Sequence, residues 1–248
     1  MNYGIVFVTS NPMSVVAFIL PHIRALKLLV SAQVLANSNE RTLLQKHGVD
    51  VRIDFVPIVR SIAPWYDIKA LWVLFWRFKK SRPLAVHTIT PKAGLLGMIA
   101  VRLAGVPLRV HSFTGQVWVT RTGFMRWLLK AADKLIFAMA TDVLVDSPSQ
   151  RDFLIEQRVV TAQRSSVLGS GSICGVNTEL FSPNERVRKT VRNELGVAPD
   201  SVICLYLGRL NRDKGVLDLA IAFAQVSESH PRAELWVVGP DEADYFQQ

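Results

Sequence analysis

Arg209 and Lys214 are the residues of this chain whose types and spacing most directly define a chemistry. They sit in Val202-Ile203-Cys204-Leu205-Tyr206-Leu207-Gly208-Arg209-Leu210-Asn211-Arg212-Asp213-Lys214-Gly215. The apolar run from Val202 to Leu207 predicts a strand buried on both faces. Gly208 ends it, and beyond Gly215 the residues Val216, Leu219, Ala220 and Phe223 share one helical face. A strand, a basic loop and a helix N-terminus in that order make an anion site, because ligands bind at the carboxyl ends of strands in open α/β sheets. A planar guanidinium beside a point-charge ammonium suits a diphosphate. Fixed cations with a helix N-terminus can hold the negative charge of such a ligand without a metal. A solvated turn with ordinary surface cations would use the same residue types.

The elements that must position this loop begin far upstream. Tyr3 to Thr9 predicts a first strand, and Ser14 is placed to cap a helix carrying Val15, Phe18, Ile19, Ile23 and Leu26. Leu28–Leu35 and Val49–Val56 predict two more strands, with a short helix over Glu40–Lys46 between them. Further strands are expected at the end of Leu84–Thr88, at Pro107–Phe113 and at Thr141–Asp146. Strands alternating with helical patterns predict an α/β fold with parallel sheets.

Polar residues just after those strands are the other site candidates. Ser10 and Asn11 follow the first strand, in a loop equally compatible with ligand contact and with a plain βα turn. His87 and Lys92 would flank the carboxyl edge of the sheet and face a crevice; a structural histidine is the alternative. Thr90 is placed as a helix cap with Pro91 in the first turn, and Gly94 and Gly97 would let that helix approach its neighbours closely. Thr114 and Gly115 follow the strand ending at Phe113. Ser147-Pro148-Ser149-Gln150 and Ser182-Pro183-Asn184-Glu185 read as capping boxes. The Gly/Ser-rich run from Gly169 to Asn177 reads as a domain boundary. The expected division is a first domain over 1–168, a crossing segment over 169–183 and a partial second domain over 184–248.

Composition narrows the partners. With 29 basic and 20 acidic residues the net charge is +9, which points to anionic ligands or surfaces. No nucleic-acid-binding motif is present, so nucleic acid is not expected. Cys174 and Cys204 have neither disulfide-framework nor metal-ligand spacing, as in a reducing cytoplasm. No charged side chain occurs between Met1 and Arg24, yet Thr9-Ser10-Asn11-Pro12 would break a spanning helix there. The aromatic helix pattern Trp65–Lys80 carries apolar residues around most of its circumference and ends in a basic cluster reaching Arg82. Arg126, Lys130 and Lys134 form a basic stripe beside Phe124 and Trp127. Either helix alone is equally a core helix with cations at its end. Both together favour peripheral contact with an anionic membrane through Trp72, Trp76, Lys79 and Lys80, aided by Arg126 and Lys130.

The phrase Gly208-Arg209-Leu210 with Lys214-Gly215, then Ala222-Phe223 and Ala233-Glu234-Leu235-Trp236-Val237-Val238-Gly239, resembles the donor-binding domain of GT-B glycosyltransferases of the retaining family 4. His87-Thr88-Ile89-Thr90-Pro91-Lys92-Ala93-Gly94 is similar to bacterial members that build surface polysaccharides such as capsule and lipopolysaccharide. The resemblance implies two Rossmann-like domains facing each other across a cleft, the second incomplete in this chain. It implies a nucleotide-diphosphate sugar as donor (a UDP-sugar in the first instance), and a lipid-linked saccharide as acceptor. It places Gly208, Arg209 and Lys214 on the donor diphosphate, and Ser10, Asn11, His87, Lys92, Thr114 and Gly115 on the acceptor side. It implies no cofactor and no metal, and a place on the inner face of the plasma membrane. The histidine with which many family members contact the transferring sugar falls on Thr114, a catalytic candidate that can hydrogen-bond a sugar hydroxyl but cannot carry an imidazolium charge, so the catalytic residue is otherwise unknown. The resemblance breaks off before the family's paired-glutamate motif, and these 248 residues alone are expected to be inactive. A non-catalytic nucleotide-sugar or polyanion binding module and a sugar-nucleotide epimerase of the same fold are the alternatives.

Overall fold

The computed structural model describes residues 4–59 and 61–241. It divides into two compact units, Met1–Val176 and Asn177–Gln248. The division falls inside the predicted crossing segment, so that the glycine-rich run stays with the first unit.

The first unit is built on a seven-stranded sheet in the order β3-β2-β1-β4-β5-β6-β7, parallel throughout. Its strands are β1 (Ile5–Val8), β2 (Ala32–Ala36), β3 (Ile53–Phe55), β4 (Ala85–Ile89), β5 (Leu108–Phe113), β6 (Asp142–Val145) and β7 (Ser165–Val167). The helices are α1 (Pro12–Ser14) and α2 (Leu20–Leu26), joined by a π-helical turn at Val15–Ile19, then α3 (Pro64–Ser81), α4 (Pro91–Ala104), α5 (Gly123–Met139) and α6 (Pro148–Glu156). Buried strands alternate their side chains between two cores. Val6 and Val8 join Leu74 and Phe78 of α3, Ala93 of α4 and Ile136 of α5. Phe7 joins Val15, Ile19 and Ile23 on the opposite face. Among the described residues no helix is long and apolar enough to cross a membrane.

Local expectations failed where the pattern was short. Leu28 and Leu29 are exposed and the second strand starts only at Ala32. Apolar residues that close a helix look the same in sequence as those that open a strand. The predicted helix over Glu40–Lys46 is a set of turns ending in a 3-10 turn at Gln45–His47, because a run this short cannot repay helix nucleation. Asn11, not Ser14, caps the first helix: its Oδ1 accepts the Ser14 backbone N–H at 2.8 Å, with Pro12 in the first turn.

The second unit holds α7 (Glu185–Glu194), β8 (Val202–Leu207), a 3-10 turn at Arg212–Lys214, α8 (Val216–Ser229) and β9 (Ala233–Val238). Asn184 caps α7 by accepting from the Val187 N–H, in place of the predicted Ser182. β8 and β9 pair in parallel from Val202↔Ala233 to Leu207↔Val238. Only Leu210 and Val216 are buried apolar side chains among its described residues, and Leu205, Leu207 and Ile221 are exposed. Its strand β8 therefore leaves apolar side chains at the surface.

Candidate functional site

In a parallel sheet every strand delivers its last residues to the same edge, and there the first unit gathers its polar groups. β1 lies between β2 and β4, so the order of connection reverses between β1 and β4, the position where open α/β sheets bind ligands. Pairing of Val8 with Thr88 carries Ser10 and Thr90 to that edge together. The Thr90 hydroxyl donates to Ser10 Oγ at 3.1 Å. Thr90 has φ +77°, a strained value for a β-branched residue, and makes no side-chain cap bond to α4. Next to them Thr9 is fully buried, with an Oγ1 that has no hydrogen-bond partner.

The two histidines of the edge point to opposite faces. His87 Nε2 and Ser112 Oγ share a hydrogen bond at 2.7 Å, on the side of Phe7 and His22. His111 Nδ1 and Thr88 Oγ1 share another at 2.8 Å, on the side of α4. A Cβ on Gly94 would stand 2.4 Å from His111 Cε1, and one on Gly97 2.7 Å from Thr88 Cγ2. The two glycines thus let α4 close over this pair, the close approach the sequence suggested. Burial holds the His87 ring down at about 3, with His22 adding repulsion. Burial also lowers His111 to about 3, reinforced by His87 and opposed by a hydrogen bond to the Thr88 backbone. Neither ring carries charge at neutral pH, which suits a structural role better than acid catalysis.

Lys92 does not stand free at the edge. Its Nζ lies 2.6 Å from Asp67 Oδ1 and donates to the Ser61 carbonyl, tying α4 to the first turn of α3. Thr114 is half-buried and Gly115 exposed at the end of β5. Three residues that sequence reasoning missed lie beside them. Gln150 donates from Nε2 to Gln116 Oε1 at 3.2 Å and accepts the Asp146 N–H at 2.7 Å. Its own N–H donates to the capping Ser147 Oγ at 3.1 Å. Gln116 Nε2 and Asp146 Oδ1 are buried without a partner, leaving one donor and one acceptor unused at the ends of β5 and β6. The capping box at Ser147–Gln150 was the available signal for Gln150; nothing local marked Gln116.

Farther along the same unit, Trp118 is wholly buried and stacks on Phe153 at 5.6 Å. Its Nε1–H donates to Asp133 Oδ2 at 2.7 Å. Arg126 and Lys130 lie over the ring at 5.3 and 5.2 Å, and Lys130 also donates to Gln157. Both cations were expected to aid contact with an anionic membrane. Burial pushes Asp133 up to about 6 despite the indole hydrogen bond.

Opposing pH dependences follow. The unfolded chain binds protons on its histidines below about pH 6.5, whereas His87 and His111 stay neutral down to about 3. Their contribution to stability is therefore complete above pH 6.5 and is lost as the pH falls through that window. Asp133 acts in reverse: it keeps its proton up to about 6, so its contribution is lost as the pH rises from 3.8. Asp133→Asn should remove only the second effect. Urea titrations between about pH 4 and 6 should then show stability rising more steeply with pH, by about 1.4 kcal/mol per unit. Parallel curves for the two proteins would refute the buried, protonated Asp133.

In the second unit, strand β8 ends where the sequence placed it and the basic loop follows. The Gly208 N–H donates to the Val238 carbonyl at 3.0 Å, and Leu210 N–H to Pro240 at 2.9 Å. Gly239 (φ +152°) passes so close that a Cβ there would lie 1.8 Å from Gly208 O. Tyr206 donates its hydroxyl to the Arg209 carbonyl at 3.0 Å, and Asn211 Oδ1 accepts the Lys214 N–H at 3.2 Å. Gly215 at φ +71° then turns the chain into α8. The loop is thus shaped by backbone bonds and short polar caps, while the side chains of Arg209 and Lys214 are exposed at the carboxyl end of β8. Among the described residues no cluster of His, Cys, Asp or Glu is suited to hold a metal.

Residues 15–171 match the glycosyl transferase 4-like domain family. The chain is 30% identical over 199 residues to the capsular polysaccharide biosynthesis glycosyltransferase CapM of Staphylococcus aureus, covering 77% of this chain and 52% of that protein. It is also 30% identical over 196 residues to the UDP-Gal:alpha-D-GlcNAc-diphosphoundecaprenol alpha-1,3-galactosyltransferase of Escherichia coli, covering 77% and 50%. The chain thus spans about half the length of these relatives. Among solved structures it is similar to Anabaena HepE in complex with UDP and glucose, with a TM-score of 0.75 at 19% identity over 97% of this chain and 62% of that one. The UDP-GlcNAc 2-epimerase of Neisseria meningitidis shares the fold with a TM-score of 0.63 at 12% identity, over 94% and 64%. These likenesses show the α/β fold of the GT-B class.

Proposed function

The chain belongs to the glycosyl transferase 4-like family, and from that premise we propose that its protein is a retaining glycosyltransferase moving a sugar from a UDP-sugar to a lipid-linked polysaccharide precursor. The observation that carries the donor half is the loop Gly208–Gly215, which sets two exposed cations and the N-terminus of α8 at the carboxyl end of β8. Such a site stabilises the diphosphate as the bond to the sugar breaks. The acceptor side is the edge that carries Ser10, Asn11, Thr90, Thr114, Gly115, Gln116 and Asp146. Gln116 and Asp146 each hold a buried polar atom without a partner beside that edge. HepE, with its bound UDP, and the galactosyltransferase, with its diphosphoundecaprenol substrate, support the two substrate classes. Retention of configuration rests on the resemblance to family 4. The reaction belongs at the cytoplasmic face of the plasma membrane, where a polyprenyl-linked acceptor is anchored.

An epimerase shares the fold, but the relatives at 30% identity are named as transferases, which favours transfer. Incubation with UDP-sugars, with and without polyprenyl-diphosphate saccharides, separates the readings. UDP release that requires the acceptor, with a matching mass gain on it, supports transfer. Conversion of the donor sugar without acceptor would establish the epimerase instead.

A further inference from the structure

We propose that the outward face of α3 is the surface on which the protein rests against an anionic bilayer. This deepens the reading above, which brings the protein to a lipid-linked acceptor, but it stands on other residues.

α3 buries Ala70, Leu74 and Phe78, four residues apart along one stripe. The opposite stripe carries Trp65, Lys69, Trp72, Trp76, Lys79 and Lys80, all exposed. Helical spacing sets these residues along one face. Trp65 is 84% exposed, Trp72 65% and Trp76 52%, values far from those of a core helix. Trp72 and Trp76 meet edge to face at 6.3 Å, which makes the aromatic surface continuous.

Charge decides the partner. Asp67 is the one acidic residue of α3, and Lys92 neutralises it. Arg77 turns the other way to Asp54 at 3.2 Å. The exposed stripe is therefore positive throughout, with lysines rather than arginines. Protein interfaces are enriched in arginine and depleted of lysine. Tryptophan with lysine is instead the pairing of the membrane interface, where indoles sit at headgroup level and flexible ammonium groups reach lipid phosphates. The helix lies along the surface, since none of the described helices is suited to crossing. α5 has a different role: it exposes Phe124 and Trp127, but Arg126 and Lys130 face Trp118.

The test is co-sedimentation with vesicles of phosphatidylcholine, with and without one quarter phosphatidylglycerol. Wild type should bind the anionic vesicles and leave the neutral ones, with binding falling as salt rises. Glutamate at Lys69, Lys79 and Lys80 should weaken binding at least ~10-fold, as should serine at Trp65, Trp72 and Trp76. A charge-matched control, glutamate at Arg186, Arg188 and Lys189 of α7, should bind as wild type. Unchanged circular dichroism would show that the variants fold. An equal loss in the control, equal binding to neutral vesicles, or binding to neither would overturn the proposal. So would a dimer that the α3 variants dissociate, since a second copy would then cover the stripe. UDP affinity of the same variants reads the donor site separately, so failure of either reading can be told from failure of the other.

Discussion

Alanine at Arg209 or at Lys214 is expected to lower affinity for UDP by about 1.5–3 kcal/mol each, roughly 10- to 150-fold, the cost of losing a charge-assisted hydrogen bond. The backbone bonds that shape the loop should survive either change. Its shape depends on backbone bonds from Gly208 and Leu210, on the Tyr206 hydroxyl at the Arg209 carbonyl and on the Asn211 cap. None of these uses the guanidinium or the ammonium. Because both cations would act on one diphosphate, the double variant need not lose the sum of the two. Calorimetric titration of UDP, with Arg186→Ala as a control remote in sequence, measures the effect. Affinities unchanged in both single variants would remove the donor assignment.

Trp118→Ala should be the most damaging single change to stability, costing about 3–5 kcal/mol for a large buried aromatic removed from a core. Trp118 is wholly buried and stacks on Phe153 with ring planes 17° apart. Its removal also leaves the buried Asp133 carboxyl without the indole N–H, and Arg126 and Lys130 without the ring beneath them. Trp118→Phe keeps most of the packing but not the N–H, and should cost about 1–3 kcal/mol. Urea unfolding, read at the midpoint with the slope unchanged, provides the comparison. A loss below about 1 kcal/mol for the alanine variant would mean that this cluster contributes little to the first unit. Loss of the indole hydrogen bond, which lowers the Asp133 pKa, should also carry that carboxyl's titration to higher pH.

The pH experiment with Asp133→Asn and the vesicle experiment on α3 probe features that the sequence could not separate. Lys130 and Lys79 look alike in the chain: each is a lysine in an aromatic-rich helix. In the structure Lys130 is engaged by Trp118 and Gln157, while Lys79 is exposed. No local pattern distinguishes them, because Gln157 is brought to Lys130 by helix packing.

Whatever depends on near neighbours was legible in the sequence itself. β8 runs from Val202 to Leu207 as its apolar run required, although none of its residues is buried as that run predicted, and Pro64 and Ser81 bound the aromatic helix within a residue of expectation. Ser147 caps α6 because cap and N–H are three residues apart. The family, too, was legible, since the wording of the basic loop and of His87–Gly94 is local. The relations of the acceptor edge required tertiary structure. Thr90 looked like a helix cap, yet its hydroxyl goes to Ser10 eighty residues earlier, because β4 lies beside β1. His87 and His111 became buried and neutral, on opposite faces of the sheet, through strand pairing and the closure of α4 over Gly94. Lys92, expected at a crevice, was drawn to Asp67 by the packing of α4 on α3. Propensity, turns and caps are short-range energies that a stretch of residues carries with it. Burial, pKa and the choice of hydrogen-bond partner depend on strand order, and strand order exists only once the whole sheet has formed.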